Sequence, residues 1–107
     1  MKLAALRAVL AAALLVGGVA AHAAGKTHTV SIEGFRFVPE RIEVAAGDTI
    51  VWTNKDFLPH SVTAAKAKIE SGDLAEGKSF RLVAKKKGEI EYICRLHPVM
   101  HGVVAVK

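Results

Sequence analysis

The sequence predicts an all-β protein: a small β-sandwich of antiparallel or mixed sheets with about seven strands. Three observations carry this expectation. Apolar and polar residues alternate with period two in short runs such as Lys78-Ser79-Phe80-Arg81-Leu82-Val83 and Glu89-Ile90-Glu91-Tyr92-Ile93-Cys94. Turn-forming residues separate these runs at short intervals. The folded part shows no convincing helical period and no internal repeat, which leaves a sandwich as the simplest way to bury the strand faces.

The chain has 107 residues, and its beginning reads differently from the rest. Lys2 and Arg7 form a positive start, Ala8 to Ala20 is almost wholly apolar, and Ala21-His22-Ala23 is a small-residue cleavage site. That is the pattern of a secretory signal peptide over residues 1–23. The apolar run is shorter than the roughly 20 residues of a membrane-spanning helix, so stable membrane insertion is not expected. Residues 24–107 then form one small domain, exported to the periplasm. Without Lys2 and Arg7 the formal charge of +5 falls to +3. Basic residues are scattered apart from Lys85-Lys86-Lys87 and aromatics are few, so nucleic-acid binding is not indicated.

The strands follow in order. Thr27-His28-Thr29-Val30-Ser31-Ile32 alternates as a half-buried strand does, with His28 expected at its exposed edge. In Gly34-Phe35-Arg36-Phe37-Val38-Pro39, the two phenylalanines are expected on one side of an extended segment that Pro39 ends. Arg41-Ile42-Glu43-Val44 is short and alternating, and Ala46-Gly47-Asp48 is a turn. Thr49-Ile50-Val51-Trp52-Thr53, β-branched and aromatic, reads as a central strand. Asn54-Lys55-Asp56 opens a loop ending at Pro59-His60, and Ser61-Val62-Thr63-Ala64 resumes the extended pattern. Ala64 to Glu70 is expected to be irregular. The run from Lys78 to Val83 follows, then Gly88 as a hairpin turn, the strand ending at Cys94, and a last strand from Gly102 to Lys107.

Chemistry concentrates in Tyr92-Ile93-Cys94-Arg95-Leu96-His97-Pro98-Val99-Met100-His101-Gly102. The only cysteine, a histidine and a methionine are spaced C-x-x-H-x-x-M. A lone cysteine excludes an internal disulfide, and in an oxidising compartment an unpaired thiol is a liability unless a metal holds it. Thiolate, imidazole and thioether are soft ligands. With one more histidine they make the His₂Cys set with a weak axial Met that suits copper. His60, 34 residues before Cys94, is the candidate fourth ligand. Zinc shares the Cys and His preference, but thioether is a poor zinc ligand. His101 is expected on the surface. Four protein ligands leave no open position for a substrate, which argues for a non-enzyme.

At these residues the sequence resembles the cupredoxin family, the small type 1 (blue) copper proteins. Within it the short His97–Met100 gap is similar to that of the amicyanins, more than to the plastocyanins or pseudoazurins. The resemblance extends through Phe35 to Pro39, Gly47 to Asn54 and Pro59-His60. It implies a Greek-key β-sandwich binding one type 1 copper ion through His60, Cys94, His97 and Met100. It also implies one-electron transfer between redox partner proteins. Leu58, Pro59, Leu96, Pro98 and Val99 flank the two histidines, so an apolar rim and docking are expected near His97, with Lys55 and Arg95 near the same end favouring an acidic partner; a monomer is expected. Copper delivery or resistance is the alternative, with His101 beside Met100 as a transfer ligand. Ser61 stands where the family often has an asparagine bridging the ligand loops, so a weaker bridge is expected. The short His60-to-Cys94 interval implies a trimmed strand or loop on that side.

Overall fold

A computed structural model describes residues 25–107, so the signal-peptide reading of residues 1–23 lies outside the described residues. Nine strands fall into two sheets: β1 (Thr27–Ile32), β2 (Phe37–Val38), β3 (Arg41–Val44), β4 (Thr49–Asn54), β5 (Thr63–Ala64), β6 (Ile69–Glu70), β7 (Ser79–Val83), β8 (Gly88–Cys94) and β9 (His97–Val106). One sheet has the order β2-β1-β4-β7 and the other β3-β9-β8-β5-β6. Both are mixed, since β1 runs parallel to β4 and β3 parallel to β9. The chain repeatedly switches sheets, so strands adjacent in sequence are mostly not neighbours, as Greek-key connections require.

The period-two pattern decides which side chains meet between the sheets. Val30 and Ile32 of β1, and Ile50 and Trp52 of β4, point inward and are buried. Tyr92 of β8 and Val104 and Val106 of β9 face them from the second sheet. Aromatic rings tie the layers: Tyr92 stands edge-on to Trp52 at 5.4 Å and to Phe37 at 4.7 Å. Such pairs add about 0.5–1.5 kcal/mol beyond the area they bury.

Several expectations need correction. Among the described residues there are nine strands rather than about seven, because the segment expected to be irregular, Ala64 to Glu70, contains a 3₁₀ turn at Ala65–Ala67 and then β6. Two-residue strands are too short to show a period. Gly88 does not make a hairpin: β7 and β8 lie in different sheets, so the Lys85–Lys87 segment crosses between them. The last strand begins at His97, not Gly102. Phe35 and Phe37 do not share a side. Phe35 adopts a left-handed φ of 57°, while Phe37 is in the core. His28 is half-buried, with Nε2 donating to Asp48 Oδ2 at 2.9 Å. Asp48 also accepts from the amides of Ala45 and Lys26, both at 2.9 Å. The Ala45 amide, His28 and the Lys26 amide pull its carboxyl down to about 2.

Gly102 lies opposite Tyr92 across the β8–β9 pair and is packed closely under its ring. A Cβ there would lie 2.4 Å from the Tyr92 ring and hydroxyl. Gly102→Ala should therefore overpack the core and destabilise the fold by about 1–3 kcal/mol. A urea midpoint unchanged from the parent would show that Tyr92 moves aside freely.

Candidate metal centre

Two parts of the chain converge at one end of the sandwich. The first is the β8–β9 hairpin. Its turn is only Arg95-Leu96, so Cys94 pairs directly with His97. The next register point is Ile93 opposite His101, so Pro98, Val99 and Met100 form a bulge in β9. This arrangement returns Met100 to the interior, where it is buried in the same core cluster as Cys94. The second part is the segment after β4. His60 and Leu74 form an isolated antiparallel bridge, with amide-to-carbonyl distances of 3.1 and 2.7 Å. That bridge fixes the backbone at His60.

The three donor atoms meet. Cys94 Sγ lies 3.6 Å from His60 Nδ1 and 3.8 Å from His97 Nδ1, and all three lie within 4.8 Å of one another. A metal bonded to sulfur at ~2.3 Å and to imidazole nitrogen at ~2.0 Å, with angles between tetrahedral and trigonal, separates those atoms by about 3.5–3.7 Å. The donors are thus placed to share one ion. His60 and Cys94 are fully buried and His97 is partly exposed.

Each donor is held by a partner that the motif does not contain. His60 Nε2 donates to Asp56 Oδ2 at 2.8 Å, which leaves the Nδ1 lone pair facing the sulfur. Asp56 is itself clamped by the amides of Gly34 (2.8 Å) and Phe35 (2.9 Å). Both residues have positive φ, so successive N–H groups turn toward one carboxylate. Burial tends to raise the Asp56 carboxyl. The two amides and the His60 ring outweigh it and hold the carboxyl below its ordinary value. The left-handed turn also sets the Phe35 ring edge-on against His60 at 5.0 Å and His97 at 4.8 Å.

Ser61 serves both sides of the site. Its amide donates to Cys94 Sγ at 3.3 Å, and its hydroxyl accepts from the Arg95 amide at 2.8 Å. Serine thus spans the ligand loops directly, the backbones lying close enough for a short side chain. Buried Asn54 shapes the loop before His60. Its Nδ2 donates to the carbonyls of Leu58 (2.9 Å) and Leu74 (2.8 Å), and its Oδ1 accepts from the Asp56 amide (2.9 Å). His101 is exposed and bonded to Glu40 at 2.7 Å.

Sequence reasoning placed the donors but missed Asp56, Asn54 and Phe35 as their supports. The available signal was Asn54-Lys55-Asp56 lying just before the histidine, which read only as a loop opener.

A two-layer β-sandwich with buried thiolate and imidazole donors at one end defines a small metal-binding sandwich protein. The Cupredoxin-like domain family matches residues 6–106, and the chain belongs to that family. It is 32% identical over 113 residues to amicyanin-alpha of Methylorubrum extorquens, covering 97% of this chain and 94% of that protein. The Cu(I) structure of a methionine-to-alanine mutant of amicyanin superposes with a TM-score of 0.73 at 26% identity, over 82% of this chain and 89% of that one. The Cu-containing nitrite reductase of Thermus scotoductus matches with a TM-score of 0.71 at 26% identity, over 76% of this chain. This chain spans only 22% of that enzyme.

Asn54→Ala would remove the side-chain donor to the part-buried Leu58 carbonyl, one of the two donors to the buried Leu74 carbonyl, and the acceptor of the Asp56 amide. Leaving a buried polar group unpaired costs about 1–3 kcal/mol. The unfolding free energy of the variant should fall by at least that amount; a loss below about 0.5 kcal/mol, the size of an ordinary surface change, would contradict this role for Asn54.

Proposed function

We propose that His60, Cys94, His97 and Met100 hold one copper ion in a type 1 site, and that the protein is a periplasmic one-electron carrier. The observation that carries this reading is the convergence of both Nδ1 atoms on a buried sulfur that accepts an amide N–H. The thioether of Met100, buried on the same hairpin, favours copper over zinc. Copper bound there supplies the Cu(II)/Cu(I) couple. The chain's own contribution is constraint. Asp56 fixes the His60 ring, Ser61 fixes the sulfur, and a two-residue turn fixes His97, so the donors shift little when the charge at the site changes. The family's amicyanins support electron transfer as the role. The copper-delivery alternative rested on His101, whose ring is engaged by Glu40.

Loading with Cu(II) should give the intense visible absorption of a copper–thiolate bond. Cys94→Ser should abolish it, because a hydroxyl does not supply the thiolate. Met100→Gln should keep the metal and lower the reduction potential, since an amide oxygen favours Cu(II) over Cu(I). An intense band retained without Cys94 would refute the ligand set.

The same reading places docking around His97, the partly exposed ligand. Phe57 and Val99 are about as exposed as a side chain can be, at 84% and 86%, and Leu58 and Leu96 are also exposed. A cluster of this kind on a small protein suits a compact redox interface. Of the two cations near this end, Arg95 has its guanidinium engaged by Glu70 at 3.0 Å and Asp73 at 2.9 Å, which compensates its charge locally. Leu96→Glu should slow transfer to the natural redox partner and leave the visible spectrum intact; an unchanged rate would move the exit to another face.

Export is the remaining part of the proposal, supported by the Lys2–Arg7 start, the apolar run and Ala21-His22-Ala23. Among the described residues, no helix is long and apolar enough to cross a membrane. The mass of protein recovered from the periplasm should correspond to a chain beginning at Ala24. A mass retaining residues 1–23 would contradict cleavage there.

A further inference from the structure

The short β5 leaves an unusual gap in the second sheet. β8 pairs with β9 along its whole length, from Gly88 opposite Val106 to Cys94 opposite His97. On its other side it pairs with β5 only at Thr63 opposite Ile93. In an antiparallel pair, alternate residues direct their main-chain groups to one neighbour and the rest point the opposite way. From Gly88 to Tyr92 those remaining groups have no strand beside them. A groove of about 650 Å³ lies between this edge and the Lys66–Ile69 segment, and a second of about 750 Å³ continues it toward Ile93. Half-buried Ile69, Leu82 and Ile90 give the first groove an apolar floor.

The rim is strongly basic. Lys66, Lys68, Lys85, Lys86 and Lys87 all line the first groove and are exposed. None of the five makes an ion pair among the described residues. Glu89, the one carboxylate in that groove, is taken by Arg41 at 2.8 Å. The charge is thus uncompensated. It gathers at the Gly88 end of β8, about 20 Å of strand away from Cys94.

We propose that this groove is a second interaction surface, which binds an acidic, extended segment of a protein partner as an added strand along β8. The occupant follows from the two features together. Unpaired main-chain groups beside an apolar floor suit a polypeptide strand, which a lipid headgroup does not imitate. Five lysines suit acidic side chains and repel a second copy of this basic edge. A partner held there leaves the end bearing His97 free, so the surface acts as a tether that does not occupy the metal centre.

A fluorescein-labelled ten-residue peptide alternating Glu and Val tests the proposal by fluorescence anisotropy, with amide hydrogen exchange as the second readout. At low salt the peptide should bind, slow exchange within Gly88–Tyr92, and dissociate as salt rises. Lys66→Glu/Lys68→Glu and Lys85→Glu/Lys87→Glu should each weaken binding about tenfold or more. Arg36→Glu/Lys78→Glu, which makes the same change in net charge elsewhere, should not. The proposal is overturned by any of four results: no binding at low salt, equal losses in the control variant, binding without protection of β8 amides, or displacement of the peptide by phosphatidylglycerol vesicles that bind more tightly. The last result would assign the lysines to a membrane surface.

Discussion

The hydrogen bond from His60 Nε2 to Asp56 is the constraint on which the site depends. An imidazole buried without that partner is free to choose its tautomer and its rotation. With the carboxylate 2.8 Å away, Nε2 carries the proton and Nδ1 is left as the donor facing Cys94. The carboxylate is in turn fixed by two amides from a left-handed turn before β2, and its own amide is fixed by Asn54. A chain of polar contacts therefore connects three separate loops to one ring nitrogen. Because Asn54 and His60 are fully buried, each link is costly to leave unmade.

The second donor group is positioned by economy of backbone. A two-residue turn sets Cys94 opposite His97, and the bulge that follows brings Met100 to the inside while leaving Val99 outside. Ser61 joins this hairpin to the His60 segment through its amide and its hydroxyl. The result places two buried donors beneath one partly exposed donor. That asymmetry suits electron exchange through a single edge of an otherwise closed site.

The two ends of the molecule differ in surface chemistry. The ligand end presents Phe57, Leu58, Leu96 and Val99, and the charge of Arg95 is absorbed there by Glu70 and Asp73. Those two contacts do more than neutralise: the Arg95 guanidinium, with the Gly72 amide, draws the Glu70 carboxyl down to about 2. The opposite end carries lysines that make no ion pair among the described residues, over an open strand edge. The opening follows from the brevity of β5, which pairs with β8 only at Thr63 opposite Ile93.

By itself the sequence determined the class of fold and the candidate donors. Period-two runs such as Thr49–Thr53 and Glu89–Cys94 report burial through local alternation, and C-x-x-H-x-x-M places three donors in reach through local spacing. His60 was legible only because its residue type completes that set. The tertiary structure decided the rest. Asn54 and Asp56 lie just before His60 in a stretch with no period to mark them as supports, and the amides of Gly34, Phe35 and Ser61 reach the site across loops. Phe35 leaves the extended pattern because its backbone turns left-handed to meet Asp56, a contact 21 residues away in the chain. The early start of β9 and the two-residue β6 escaped notice because neither shows a period of its own. Pairing with a neighbouring segment makes them strands, and pairing is a property of the folded chain rather than of either short stretch alone.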